Sequence, residues 1–327
     1  MGINKSIPVL GAGAWGTALA ILLANNDLSV RLWDKNPELM EGMIKTGSNA
    51  RYFPDIRLPK NLHFCLTLNE ALEVGEDILI VVPSSGFKEL LQNIKPLLTP
   101  KHRIVWATKG LEPNTGELLQ DLIVQVLGKE TVMAVISGPS FAQEVAEGLP
   151  TAIMVASTDP SFLSDLKSYF NNEVFSLVTT NDLIGVQLGG IVKNIIAVAA
   201  GLSDGLGFGA NMRAALITQG LSEMKRLAKA LGGQEETIMG LAGCGDVILT
   251  CTDNQSRNRR FGLALAKGLT EAEAAQEIGQ AVEARNTVVQ IHRLAKEKHV
   301  TMPIAEQVYR IMKQGVSPKE ALLSLFK

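Results

Sequence analysis

The hydrophobic pattern of the chain has two regimes. Up to about residue 180, short apolar runs alternate with helix-length amphipathic stretches. The runs IPVLGAG, VRLWDK, DILIVVPSS, HRIVWATKG, TVMAVISGP and TAIMVAS are rich in β-branched residues and end in Gly, Pro, Ser or Asp. Their apolar character on both faces, with helices predicted between them (over 17–25 and 116–127, for example), implies a parallel sheet covered on both sides. Beyond residue 181 only helical periodicity remains. Helices are predicted over 183–201, 211–231, 259–267, 271–279, 283–298 and 303–312, with a short last helix from Ser317. The glycine-rich stretch GLSDGLGFGAN at 201–211 is expected to separate the first two. The pattern therefore predicts an α/β domain over 1–180 and an all-α domain over 181–327.

Within the second regime, the run LIGVQLGGIVKNIIAVAAGL contains a single charged side chain, Lys193. Desolvating an ammonium costs several kcal/mol unless something compensates. The run has the length of a membrane span. Against a span stand its central Gln187, Lys193 and Asn194, its glycines, and the lack of a second such stretch. Gln187, Gly190 and Asn194 fall near one face, as do Val186, Gly189 and Lys193, which fits a buried helix turned toward a site. Lys193 is then either a snorkelling core lysine or a general acid and base.

Composition narrows the field. With 327 residues, 46% hydrophobic and 20% charged content, the chain has material for two cores. A net charge of −2 gives no reason to expect nucleic acid or an anionic membrane as partner. The three cysteines (Cys65, Cys244 and Cys251) and four histidines form no metal constellation, and the chain opens on MGINKSIPVLGAG without a signal-peptide pattern. A cytoplasmic protein with reduced thiols is expected.

Gly11-Ala12-Gly13-Ala14-Trp15-Gly16 follows one predicted strand and opens a predicted helix. In that setting the glycines allow a tight turn, and the helix N-terminus offers N–H groups to a pyrophosphate. A plain strand-to-helix turn is the competing reading. The next strand ends in Asp34-Lys35, where a ribose-reading residue belongs. Asp34 suits a ribose 2′-hydroxyl and NAD, whereas Lys35 suits a 2′-phosphate and NADP. The sequence leaves both NADH and NADPH open.

Four further segments end apolar elements with polar or glycine-rich residues: VVPSS, WATKG, ISGPSFAQE, and the pair GCGDVILTC and NQSRNRRFG. Reducing a ketone by hydride creates an alkoxide, which needs a cation and a proton source. No histidine lies in these motifs, which leaves Lys193 and Lys109, with Asp246 able to orient an amine. Ser256-Arg257-Asn258 offers a hydroxyl, a forked guanidinium and an amide to a phosphate at a helix start. Each has a simpler alternative: Lys109 a solvated loop lysine, Asp246 an N-cap, Glu283 a solvated helix-start carboxylate, and RNRR a basic patch for nucleic acid, which the near-neutral chain disfavours.

These segments, with LGGIVKN, GLSDGLGFGAN and GQAVEA, resemble the bacterial type of NAD(P)-dependent glycerol-3-phosphate dehydrogenase. The resemblance runs from the glycine loop to about Pro303. It implies a dinucleotide-binding Rossmann domain over 1–180 and a helical substrate-binding and catalytic domain over 181–327, similar to the C-terminal domain of 6-phosphogluconate dehydrogenase. The implied activity is reduction of dihydroxyacetone phosphate to sn-glycerol 3-phosphate for glycerophospholipid synthesis. It assigns Lys193 to proton transfer, Lys109 to substrate and cofactor, and Gly138, Ser140, Asp246, Ser256, Arg257 and Asn258 to substrate. Cofactor contacts fall on Gly11, Gly13, Ala14, Trp15, Gly16, Lys35, Ala142, Arg257, Val282 and Glu283. Asp34 departs from the small residue expected there and weighs against NADP. The apolar helical second domain suits a homodimer, and no membrane span is expected. A related β-hydroxyacid dehydrogenase and a non-catalytic NAD(P)H sensor are the alternatives.

Overall fold

The computed structural model describes residues 5–325. The chain forms two compact units. The first comprises the described residues up to 112, with 119–136 and 140–183; the second comprises 113–118, 137–139 and the described residues from 184 onward.

The first unit is built on one sheet of eight strands: β1 (Ser6–Leu10), β2 (Ser29–Trp33), β3 (Leu62–Cys65), β4 (Asp77–Ile80), β5 (Arg103–Trp106), β6 (Met133–Ser137), β7 (Thr151–Ser157) and β8 (Phe175–Thr180). Their order across the sheet is β3-β2-β1-β4-β5-β6-β7-β8. β1 pairs in parallel with β2 and β4, β2 with β3, β4 with β5, β5 with β6, and β7 with β8. All four residues of β4 are buried, as are four of the five in β1. This is the two-sided burial that the apolar runs imply. The chain leaves β1 toward β2 and β3, then returns to the other side of β1 as β4. The strand order therefore reverses between β1 and β4, where open α/β sheets bind ligands at the carboxyl ends of their strands.

Six of the strands coincide with the apolar runs. The other two, β3 and β8, lie at the sheet's edges and were not predicted. Both mix buried with exposed positions, so neither reads as a continuous apolar run.

The second unit is helical among the described residues. Its central helix, Leu183–Gly205, has a mean hydropathy of 1.8 over its most apolar window, of which 89% is buried inside the protein. It is a core helix, as its polar stripe suggests. It also runs four residues further than predicted, because Gly201 is a contact rather than a break. A Cβ there would meet the Arg259 carbonyl oxygen at 2.0 Å, and one on Gly262 would meet the Val198 carbonyl oxygen at 2.2 Å. The helices Leu183–Gly205 and Arg257–Ala266 thus touch backbone to backbone. Only Leu206–Phe208 separate the first from the next helix, Gly209–Ala230. A short helix at Glu235–Met239, a π-helical turn at Leu241–Gly245 and the helix Asp246–Thr252 lie between the predicted helices, where only the alternative reading of Asp246 as an N-cap pointed to helix. Of the remaining helices, Glu271–Ile278, Ala284–Glu297 and Pro303–Gln314 fall within two residues of expectation at each end, and Pro318–Ser324 starts one residue after the expected Ser317.

Candidate active site

In the first unit, the loop after β1 is fixed from several sides. Gly11 adopts φ +118°, a conformation side chains rarely take. A Cβ on Gly11 would lie 2.6 Å from the Val81 carbonyl oxygen, and one on Gly16 would lie 1.9 Å from the Gly11 carbonyl oxygen. Gly13 differs, since a Cβ there would meet nothing within 4 Å. The loop is packed behind Gly11 and Gly16 and open before Gly13, which leaves room for a pyrophosphate. Ala14 and Trp15 begin the helix Ala14–Asn25, whose N-terminal end carries free N–H groups and a positive dipole. The buried Trp15 Nε1 has no hydrogen-bond partner. These features fit a dinucleotide.

Asp34, at the end of β2, holds this loop. Its Oδ2 accepts from the Ala12 amide at 2.8 Å, and its Oδ1 accepts from the Asn36 amide at 3.0 Å. Lys35 is exposed. Sequence reasoning missed Asn49, which is fully buried. Its Nδ2 donates to the Ala12 carbonyl at 3.0 Å and to Thr17 Oγ1 at 2.9 Å, bracing the loop from outside the motif. Nothing periodic around Asn49 signals this role.

The loops after β4 and β5 lie against each other. Thr108 Oγ1 donates to the Val82 carbonyl at 2.7 Å, and a Cβ on Gly110 would meet Ser84 Oγ at 2.8 Å. Between Thr108 and Gly110, Lys109 is half-buried at the carboxyl edge of the sheet. Ser140 is half-buried, and Ala142 is the half-buried first residue of the helix Ala142–Ala146. Gly138 is buried with φ +153° and groups with the second unit.

In the second unit, Lys193 is 9% exposed and Asp246 0%. Lys193 Nζ donates to Asp246 Oδ1 at 2.5 Å and to Thr250 Oγ1 at 3.1 Å. The Thr250 hydroxyl in turn donates to the Asp246 carbonyl at 2.6 Å. Burying an ion pair is costly, and removing one partner leaves an uncompensated charge. Asp246 opens the helix Asp246–Thr252, and Gly245 occupies the N-cap position. The carboxylate is therefore spent on Lys193 rather than on capping. Thr250 lies one turn further along the same helix face. Its spacing of four from Asp246 was the signal for it. Burial pushes the neighbouring Cys251 thiol up to about 12, against the charges of Lys193 and Arg259.

The predicted phosphate triplet is also assembled. Ser256 is buried and caps the helix Arg257–Ala266 by accepting from the Arg259 amide at 3.2 Å; that helix starts two residues earlier than predicted. Asn258 Nδ2 donates to Asn194 Oδ1 at 2.9 Å, and its Oδ1 accepts from the Ala284 amide at 3.2 Å. Arg257 pairs with Glu283, whose other oxygen lies 3.4 Å from Asn258 Nδ2. Glu283 is thus a partner of the triplet rather than a solvated carboxylate, and of the basic run RNRR the residues Arg257, Asn258 and Arg259 are tied into the fold while Arg260 is exposed. Val282, just before it, is buried. Because Asn194 follows Lys193 directly, the Asn194–Asn258 bond joins the lysine's helix to the triplet.

Two family models cover nearly the whole chain. The N-terminal model of NAD-dependent glycerol-3-phosphate dehydrogenase matches residues 6–163, and the C-terminal model matches 182–323. The chain belongs to this family. It is an NAD(P)-dependent oxidoreductase that acts on a CH–OH group. Glycerol-3-phosphate dehydrogenase [NAD(P)+] of Shigella boydii is 51% identical over 98% of this chain and 95% of its own. The crystal structure of glycerol-3-phosphate dehydrogenase from Coxiella burnetii superposes with a TM-score of 0.96 at 48% identity, covering 100% of both chains. The enzyme from Saccharomyces cerevisiae gives 0.85 at 26% identity, over 97% of this chain and 98% of its own. Membership in the family, rather than among β-hydroxyacid dehydrogenases or non-catalytic sensors, agrees with the resemblance in the motifs.

Proposed function

We propose that this family member reduces dihydroxyacetone phosphate to sn-glycerol 3-phosphate, with Lys193 as proton donor and Ser256, Arg257 and Asn258 as the phosphate anchor. The observation that carries this reading is the buried Lys193–Asp246–Thr250 cluster. A lysine that only snorkelled would need neither a fully buried carboxylate at 2.5 Å nor a hydroxyl at 3.1 Å.

The glycine loop would hold the dinucleotide, and the bound nicotinamide supplies the hydride. Lys193 gives its proton to the alkoxide oxygen, and in the reverse direction its amine takes the proton from the hydroxyl. Asp246 keeps the amine aimed, while Thr250 fixes a second of its three donor directions. Arg257 meets the phosphate as a fork, exchanging part of its bond to Glu283 for the anion. Lys109 adds a second cation, and Gly138 and Ser140 supply close backbone approach and a hydroxyl. Trp15, Ala142, Val282 and Glu283 complete the cofactor contacts.

Asp34 favours NADH. Its carboxylate is held at the end of β2, where it can accept from a ribose 2′-hydroxyl and would repel a 2′-phosphate; the exposed Lys35 is bound to nothing else among the described residues. The reading includes a cytoplasmic homodimer supplying the glycerol phosphate backbone of phospholipids, a setting supported by three free thiols. The test is a spectrophotometric comparison of NADH and NADPH oxidation with dihydroxyacetone phosphate. Turnover with a kcat/KM at least about tenfold higher for NADH is expected. No turnover with either cofactor would contradict the assignment, and preference for NADPH would contradict the role of Asp34.

A further inference from the structure

Arg259 lies two residues beyond Arg257, is only 9% exposed, and has no part in the roles above. Each edge of its guanidinium is engaged. Nε donates to the Cys251 carbonyl at 3.1 Å, Nη1 to Asn254 Oδ1, and Nη2 to Asp204 Oδ2 at 2.6 Å. Asp204 is braced in turn by Arg213, whose Nη1 donates to Oδ1 at 2.8 Å. The three acceptors belong to different pieces of the site. Cys251 is on the helix that carries Asp246, Asn254 is in the loop leading into the phosphate triplet, and Asp204 is in the last turn of the helix that carries Lys193. The backbone contacts at Gly201 and Gly262 close the same seam. A planar fork with three separate acceptors is satisfied in one arrangement only, which an ammonium on a flexible stem cannot reproduce.

We propose that Arg259, seated on Asp204, is a positioning residue that sets the Ser256-Arg257-Asn258 turn at a fixed reach from Lys193. It thereby governs affinity for the phosphate end of the substrate without touching it. The proposal rests on reading that turn as the phosphate anchor.

The test compares Arg259→Lys, Asp204→Asn, Asn254→Ala and, as a control, Arg257→Ala. For each, thermal melting establishes folding, NADH affinity is titrated, and kinetics are run with dihydroxyacetone phosphate and unphosphorylated dihydroxyacetone. For folded Arg259→Lys, KM for the phosphorylated ketone should rise on the order of 10–100-fold, with kcat falling by less than about fivefold. NADH affinity and kcat/KM on dihydroxyacetone should stay within about threefold. Asp204→Asn and Asn254→Ala should move the same way by smaller factors, and they decide the matter if Arg259→Lys does not fold. Equal losses on both ketones, or an unchanged KM in folded variants, would overturn the positioning role. If Arg257→Ala alone loses the preference for the phosphorylated ketone, the anchor stands and the proposal fails. If Arg257→Ala keeps that preference, the anchor reading fails and the proposal with it.

Discussion

The glycine loop of the first unit and the lysine cluster of the second solve opposite problems. The loop must let a ligand approach the backbone, so its essential property is missing atoms. Gly11 and Gly16 have no space for a Cβ, and Gly13 leaves its space open. The cluster must keep a charge in a buried place, so its essential property is added atoms that pair with one another. The loop is written in six consecutive residues. The cluster draws on positions 193–194, 246–250, 256–258 and 283, and the bonds between these stretches span 25 to 64 residues. Adding a methyl group should therefore disable the first site, and removing a polar atom the second.

Apart from loss of Lys193 itself, the largest expected effect comes from Asp246→Asn, which leaves the Lys193 ammonium buried without its counter-charge. Turnover should fall on the order of 1000-fold while NADH affinity is held, as read by steady-state kinetics beside a fluorescence titration. Parallel loss of both would erase the contrast between the two regions. Next comes Gly16→Ala, whose Cβ would sit 1.9 Å from the Gly11 carbonyl oxygen. It should weaken NADH binding by about 100-fold and destabilise the fold by about 1–3 kcal/mol. Wild-type NADH affinity in this variant would show that the loop does not need its close packing.

The smallest effect lies outside both sites and bounds the comparison. Glu223 is buried and accepts from the amides of Ile304 and Ala305 at 2.6 and 3.2 Å, capping the helix Pro303–Gln314. Burial pushes its carboxyl up to about 7, against those two bonds and the charge of Arg226. A carboxyl raised on folding binds its proton more tightly in the native state. Its stabilising contribution is therefore complete below the unfolded value of about 4.3 and is lost as pH rises through about 7. Glu223→Gln should flatten this slope, changing stability between pH 5 and 8 relative to wild type by on the order of 1–3 kcal/mol, with kcat unchanged. Denaturant titrations at the two pH values measure it, and identical slopes for the two proteins would remove the pH argument.

What the sequence made legible follows the same contrast. Strands buried on both faces announce themselves by composition, whereas the edge strands β3 and β8, half in water, do not. The glycine loop could be read because its residues are adjacent. Lys193 could be read because one charge stands out in an apolar helix. Asn49 and Arg259 were missed because their importance lies in bonds made across the fold, and Thr250 because its spacing from Asp246 gains meaning only once Lys193 lies beside both. Gly201 misled, since glycine both ends helices and lets them touch, and only the backbone of Arg259 beside it decides which. The triplet at 256–258 was legible as chemistry, but its ties to Asn194 and Glu283 required coordinates.

The account stands on Lys193 as proton donor, and Lys193→Ala tests that most directly. The measurement is kcat with saturating NADH and dihydroxyacetone phosphate, made beside the NADH dissociation constant of the same sample. The account predicts that kcat falls by roughly 1000-fold or more while the dissociation constant changes by less than about threefold. A folded variant that turns over within about tenfold of wild type would contradict it.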